Sequence, residues 1–203
     1  MPARANIAVF ISGRGTGLQA LIDATIDGTL SAKIVLVVSS SPDALGLTRA
    51  KDAGIPTFVY NVKSYQSPLQ AEEALLSRLL EERTEYVALA GYLKMIPSLV
   101  LRAFPQKVVN IHPALLPKYG GKGMYGHFVH EAVLAAHETE SGVTVHLVDE
   151  IYDHGKILEQ VRVPVLADDT PDSLAKRVLE QEHKLYPMTI EKLIQGKYGL
   201  NHV

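Results

Sequence analysis

The chain has 203 residues, with 20 Lys+Arg against 22 Asp+Glu, eight His, and neither Cys nor Trp. That length suits one hydrophobic core, and 47% hydrophobic with 21% charged residues describes a globular domain, which excludes a disordered chain, a collagen or a coiled coil. A net charge of -2 leaves no electrostatic footprint for nucleic acid, and the absence of Cys excludes disulfides, thiolate metal sites and a Cys nucleophile.

No stretch approaches the roughly 18 consecutive apolar residues of a membrane span. The apolar run within residues 1–11 is too short for a signal-peptide core. The expectation is a cytoplasmic protein without a targeting or membrane segment.

Residues 7–11 form a β-branched and aromatic run backed by Gly13, the pattern of a buried strand. Residues 17–27 place Leu18, Leu21, Ile22 and Ile26 at helical spacing, with Gly28 as the stop. Residues 34–38 are the next strand, closed by Ser39, Ser40, Ser41 and Pro42. A short helix over 45–53 and a strand over 57–60 follow. Residues 72–82 carry Ala74, Leu75, Leu79 and Leu80 against a charged face, an amphipathic helix. Residues 86–90 and 107–111 are further strands, separated by a helix that starts at Pro97.

The pattern then changes. Residues 113–126 are rich in Pro, Gly and Lys and read as a long loop. Residues 130–136 are helical. Residues 142–148 and 157–165 are strands whose short polar link suits antiparallel pairing. Residues 172–194 close the chain as one long helix, bent at Pro187. The predicted fold is α/β: a single domain over 1–203, with a Rossmann-like, mostly parallel sheet, helices on both faces and an antiparallel C-terminal strand pair.

Three segments carry chemistry. Ser12-Gly13-Arg14-Gly15-Thr16-Gly17 joins a strand to a helix, where glycines let backbone N–H groups approach an anion at the helix's positive end. Gly15-x-Gly17-x-x-Ala20 also fits a dinucleotide fingerprint. That fingerprint needs an acid after the second strand, and Ser39-Ser40-Ser41 stands there instead. Asn110 and His112, two apart at a strand end, project to one side, where they could stabilise an oxyanion and move a proton. Residues 149–153 form an acidic turn able to set the charge of an imidazole, or simply a solvated loop. His127, His130 and His137 lack the Glu-flanked spacing of a zinc helix, and no metal is expected. Residues 118–126 form a basic glycine-rich loop that is either a second anion contact, a lid or a mobile connector.

Together these segments resemble the folate-dependent formyltransferases, and within them the glycinamide ribonucleotide branch. The stretches that match are Ile11-Ser12-Gly13-Arg14-Gly15, Leu89-Ala90-Gly91-Tyr92, the run from Asn110-Ile111-His112-Pro113 to Lys118-Tyr119, Asp153-x-Gly155 and Gln181-Glu182-His183. The resemblance implies direct transfer of the formyl group of 10-formyltetrahydrofolate, as co-substrate, to the amine of a phosphoribosyl glycinamide in purine biosynthesis. It implies Asn110, His112 and Asp153 as the catalytic set, with protonated His112 and Asn110 donating to the oxyanion and Asp153 raising the pKa of His112 so that more of it is charged near neutrality.

By the same resemblance, Gly15, Thr16 and Gly17 bind the substrate phosphate, and Leu179, Glu180, Gln181 and Glu182 line the rest of that site. Folate lies along Leu93, Lys94, Met95 and Ile96, against Asn110 and the loop of Asp149, Glu150, Ile151, Tyr152 and Asp153. Residues 1–111 form the nucleotide half and 112–203 the folate and catalytic half. Partners are small molecules, with no nucleic acid or membrane, and the protein is a monomer or homodimer.

Departures from the family are Gly17 for the usual Asn, Gly120-Gly121 for Pro-Gly, an apparent insertion over 122–126, Pro68 in place of a basic residue, and a divergent 149–152 loop. The alternatives are a formyltetrahydrofolate hydrolase, a formyltransferase for another amine, an NAD-dependent oxidoreductase and a non-catalytic mononucleotide-binding module.

Overall fold

The structure is a computed structural model that describes residues 4–200. Residues 1–3, part of the N-terminal segment read for a leader, and residues 201–203 lie outside the described residues.

Seven strands form one sheet in the order β3-β2-β1-β4-β5-β6-β7. The parallel part comprises β1 (Ala5–Ile11), β2 (Ala32–Ser39), β3 (Thr57–Val59), β4 (Tyr86–Leu89) and β5 (Val108–His112). Its strands are almost wholly apolar because helices cover both faces. β6 (Glu140–Leu147) and β7 (Ile157–Pro164) pair antiparallel, as their short link requires. The chain moves outward from β1 in both directions. A crevice therefore opens at the carboxyl ends of β1 and β4, the switch point where open sheets hold ligands.

Six α-helices pack on the sheet among the described residues: α1 (Thr16–Asp27), α2 (Gly46–Asp52), α3 (Pro68–Glu81), α4 (Ser98–Ala103), α5 (His127–Ala135) and α6 (Pro171–Ile194). Two buried clusters separate the faces. One joins Leu18 and Leu21 of α1, Val129 and Val133 of α5, and Leu174, Val178 and Tyr186 of α6. The other joins Leu75 and Leu79 of α3 and Val100 of α4 to Tyr92 and Ile96.

Several boundaries differ from the sequence expectation. α3 starts at Pro68, capped by the Ser67 hydroxyl, which accepts from the Gln70 N–H. Its buried stripe is Ala71, Leu75 and Leu79, so Leu80 faces outward, 58% exposed. Ile26 likewise stands 79% exposed near the end of α1. α5 begins at His127 rather than 130. α6 runs through Pro187, held by a capping box between Thr170 and Ser173 at its start. The Tyr186 hydroxyl also anchors α6, reaching the carbonyls of Leu89 (2.9 Å) and Val109 (3.1 Å) at the strand ends.

Candidate active site

A cavity of about 970 Å³ opens at the carboxyl end of the sheet. It draws on residues 12–17 after β1, 89–96 after β4, 110–113 at the end of β5, the glycine-rich loop, α5, the turn after β6 and one stripe of α6. Its size suits two small ligands side by side.

At the first end lies the glycine loop of residues 12–17, expected to bind a phosphate. Gly15 caps α1 at φ 70° with no side-chain cap, and the first helical turn holds no acidic residue. The N–H groups of Thr16 and Gly17 therefore lack side-chain acceptors beside the cavity, at the positive end of the helix. Gly15 is glycine for a reason besides anion approach: a Cβ there would stand 2.5 Å from the Gly46 Cα. The loop is braced from behind. Arg49 Nε donates to the Arg14 carbonyl (3.0 Å) and Nη1 to Gln19 Oε1 (3.1 Å), while the Gly46 N–H bonds the Gly13 carbonyl (3.0 Å).

The end of β2 does not offer a ribose-binding acid. The Ser40 hydroxyl donates to Ser12 Oγ (2.7 Å), which also accepts the Leu93 N–H (2.9 Å). The oxidoreductase reading thus loses its second requirement.

At the centre stand Asn110, His112 and Asp153, brought together as expected. Their contacts are tight and interlocked. His112 Nε2 lies 2.7 Å from the Tyr119 carbonyl, which can only accept, so that nitrogen carries the proton. Its Nδ1 lies 3.6 Å from Asp153 Oδ2. Asp153, at φ 55° in the left-handed region that Asp tolerates, also accepts the Gly121 N–H at 2.9 Å.

Burial holds His112 below its ordinary pKa, and His146 adds to this. The Asp153 charge and the Tyr119 carbonyl pull the other way without reversing it. Asp153 thus pulls the His112 pKa up as expected, but the expectation of a protonated His112 as oxyanion donor is corrected, because burial at 3% exposure outweighs that pull. Burial pushes the Asp153 carboxyl up, but the adjoining His146 and His112 and the Gly121 N–H outweigh it and hold it below the usual carboxylate value.

The sequence reading missed His146. Antiparallel register sets it directly opposite Asn110, and it is 2% exposed. Its Nδ1 donates to the Leu147 carbonyl (2.8 Å), leaving Nε2 to accept the Asn110 amide at 3.1 Å. The Asn110 amide also faces Asp153 Oδ1 at 3.4 Å. A lone His inside an apolar strand carries no local signal; only the β5–β6 pairing finds it. Thr144 is a second unforeseen part. Its buried hydroxyl donates to the Ala114 carbonyl (2.6 Å) and accepts the Leu116 N–H (3.1 Å), pinning the loop that follows His112.

On the far wall, α6 presents Ala175, Val178, Leu179 and Glu182, one helical stripe. Glu180 and Gln181, expected beside them, fall off that stripe and do not line the cavity. Glu150 also points elsewhere, whereas Asp149, Ile151, Tyr152 and Asp153 line it. Glu182 makes no hydrogen bond to a described residue, and burial pushes its carboxyl up to about 7. Leu93, Met95, Tyr125, Ile151 and Tyr152 are each 37–60% exposed and gather on the lining, an apolar slot fit for a flat ring. Ile96 lines the slot too but is buried in the core.

His127 is spent on Glu131 (3.1 Å) and Asp172 (3.6 Å), and among the described residues no three His, Asp or Glu groups gather to hold a metal. No described helix is long and apolar enough to cross a membrane.

The formyl transferase family matches this chain over residues 5–190. The chain is 45% identical to the chloroplastic phosphoribosylglycinamide formyltransferase of Arabidopsis thaliana, over 91% of its own length and 64% of that protein's. It is 39% identical to the phosphoribosylglycinamide formyltransferase of Haemophilus influenzae, over 96% of its length and 90% of that protein's. The chain belongs to the phosphoribosylglycinamide formyltransferases. The fold agrees: the glycinamide ribonucleotide transformylase of Symbiobacterium toebii superposes with a TM-score of 0.89 at 36% identity, covering 97% of this chain and 90% of that one. Family membership removes the oxidoreductase from consideration.

Proposed function

We propose that the protein transfers the formyl group of 10-formyltetrahydrofolate to the amine of phosphoribosylglycinamide, a step of purine biosynthesis, in the cytoplasm. The observation that carries this reading is one cavity with an uncapped helix start at one end, an apolar slot at the other and the Asn110–His112–Asp153 cluster between them. Thr16 and Gly17 bind the phosphate through backbone N–H groups. Glu182 and Leu179 hold the middle of that substrate. Leu93, Met95, Ile151 and Tyr152 clasp the folate ring, which supplies the formyl group.

The chemistry follows from the hydrogen bonds. The amine nitrogen attacks the formyl carbon and the formyl oxygen takes up negative charge. Asn110 keeps one amide hydrogen on His146 and turns the other, now on the long bond to Asp153, onto that oxygen. His112 is neutral, and its Nδ1 lone pair takes the proton released by the attacking amine, directly or through a water. Asp153 balances the imidazolium at that moment. The bond from the formyl carbon to the folate nitrogen then breaks, and Nδ1 returns its proton to that nitrogen.

Incubation with 10-formyltetrahydrofolate, with and without phosphoribosylglycinamide, tests the reading. Formyl transfer that requires the amine is expected. Release of formate without the amine marks a hydrolase, and no turnover with both present rules the assignment out.

A further inference from the structure

His130 is a buried histidine of the cavity that the mechanism leaves unused. It is 4% exposed, it lines the cavity from α5, and neither ring nitrogen hydrogen-bonds a described residue. Buried polar groups are nearly always paired, so an orphan imidazole on a ligand cavity needs an explanation. Among the histidines on the cavity, His127 is paired with carboxylates, His112 with the Tyr119 carbonyl and His146 with the Leu147 carbonyl and the Asn110 amide, so among them the vacancy belongs to His130.

The two ring nitrogens differ. Nδ1 is sealed from solvent and unpartnered, while the ring meets the cavity by its other edge. A sealed N–H costs more than a sealed lone pair, because orphan donors are rarer than under-used acceptors. The ring proton therefore sits on Nε2. A second proton would have to enter the sealed position, so the ring stays an uncharged donor. Burial and the neighbouring His127 and His112 hold its pKa down to about 4, in keeping with this.

The phosphate has its own loop at the start of α1, so the Nε2–H is left for another oxygen of the same ligand. The position selects the ligand. α5 belongs to the buried cluster of α1 and α6, the layer of the phosphate loop and Glu182, and not to the cluster of α3, α4 and Tyr92 beside the folate slot. Within that layer His130 lines the same cavity as His112, and α5 follows the loop that the Tyr119 carbonyl and Gly121 N–H tie to His112 and Asp153, which places it at the reacting end. The acceptor of phosphoribosylglycinamide nearest its amine is the amide carbonyl.

We propose that His130 Nε2–H donates a hydrogen bond to the amide carbonyl of phosphoribosylglycinamide and so selects amines that carry a carbonyl next to the attacking group. The proposal rests on the substrate assignment above. It makes His130 a specificity residue and not an acid or base.

Nitrogen-15 histidine NMR on the wild-type protein, with steady-state kinetics on His130→Phe and His130→Gln, tests it. The ring is expected to hold its proton on Nε2 with no titration between roughly pH 5.5 and 8, and its Nε2 signal should move on adding phosphoribosylglycinamide but not a folate analogue. His130→Phe should raise KM for the amine about tenfold, the scale of one lost hydrogen bond, with KM for folate unchanged. His130→Gln, which keeps an amide N–H near Nε2, should recover most of the loss. A proton on Nδ1, a signal that moves with folate alone, or wild-type KM in both variants overturns the assignment of His130 only. Failure of the wild-type protein to bind phosphoribosylglycinamide overturns the substrate reading and this proposal with it.

Discussion

The centre of the cavity and its α5–α6 wall are built on opposite plans. At the centre, Asn110, His112, His146 and Asp153 each contact another member of the set, and Tyr119, Leu147 and Gly121 fill further bonding positions. On the wall, half-buried Glu182 and buried His130 have no hydrogen-bond partners among the described residues. The difference separates two tasks. Groups that stabilise developing charge must be fixed before the reaction, so that nothing has to reorganise during it. Groups that recognise substrate stand idle until it arrives, and the cost of leaving them unpaired is recovered on binding. A change at the centre should therefore appear in kcat, and a change on the wall in KM.

The largest break of this contrast is Asp153→Asn. Loss of the carboxylate removes the partner of the imidazolium, and kcat should fall by roughly 10²–10⁴ with KM for both substrates little changed. The pH profile sharpens the test. Asp153 pulls the His112 pKa up against burial, so without it the pKa drops further. With His112 as the proposed neutral base, the acid limb of kcat is expected below the ordinary His value and should move to lower pH in the variant. A limb that moves upward would contradict the role given to Asp153.

Much of this contrast was legible in the sequence, and the part that was not has a physical reason. The strand–helix alternation predicted the parallel sheet, and the short link between the last strands predicted the antiparallel pair. Asn110 and His112 were legible from their spacing at the end of β5, whereas Asp153, in a turn between β6 and β7, was marked out by the family resemblance. His146 and Thr144 were not, because their roles come from register across β5 and β6, which no local pattern encodes. Glu180 and Gln181 adjoin Glu182 in sequence but not on the helix surface, where residues three and four apart share a face and the cavity side passes from Ala175 through Val178 and Leu179 to Glu182. The neutral state of His112 depends on burial depth, which a sequence does not display.

Glu182→Gln probes the wall. The folded carboxyl titrates near 7, above its usual 4.5. Between those values the folded protein retains a proton that the unfolded chain releases, so stability falls as pH rises through this window and stays reduced above it. The neutral amide removes that cost. The unliganded variant should be more stable than wild type at pH 8, by on the order of 3 kcal/mol in denaturant titrations, with no gain at pH 4. KM for phosphoribosylglycinamide should rise while kcat holds. A variant less stable at pH 8 would mean that the carboxylate has a partner in the folded chain.

Arg49→Ala gives the smallest expected effect and asks whether the phosphate loop follows the plan of the centre or of the wall. Gly15 cannot serve as the probe, because any side chain there collides with the Gly46 backbone before it reaches the phosphate. Arg49 touches only the back of the loop, through the Arg14 carbonyl and Gln19. Its removal leaves the Thr16 and Gly17 N–H groups in place but loosens the backbone that aims them. Each of these hydrogen bonds contributes about 1 kcal/mol, so phosphoribosylglycinamide should bind several-fold more weakly by calorimetry, with folate binding and kcat unchanged. A fall in kcat instead would show that the bond from the Leu93 N–H to Ser12 carries the disturbance to the centre, and that loop and centre form one pre-set unit.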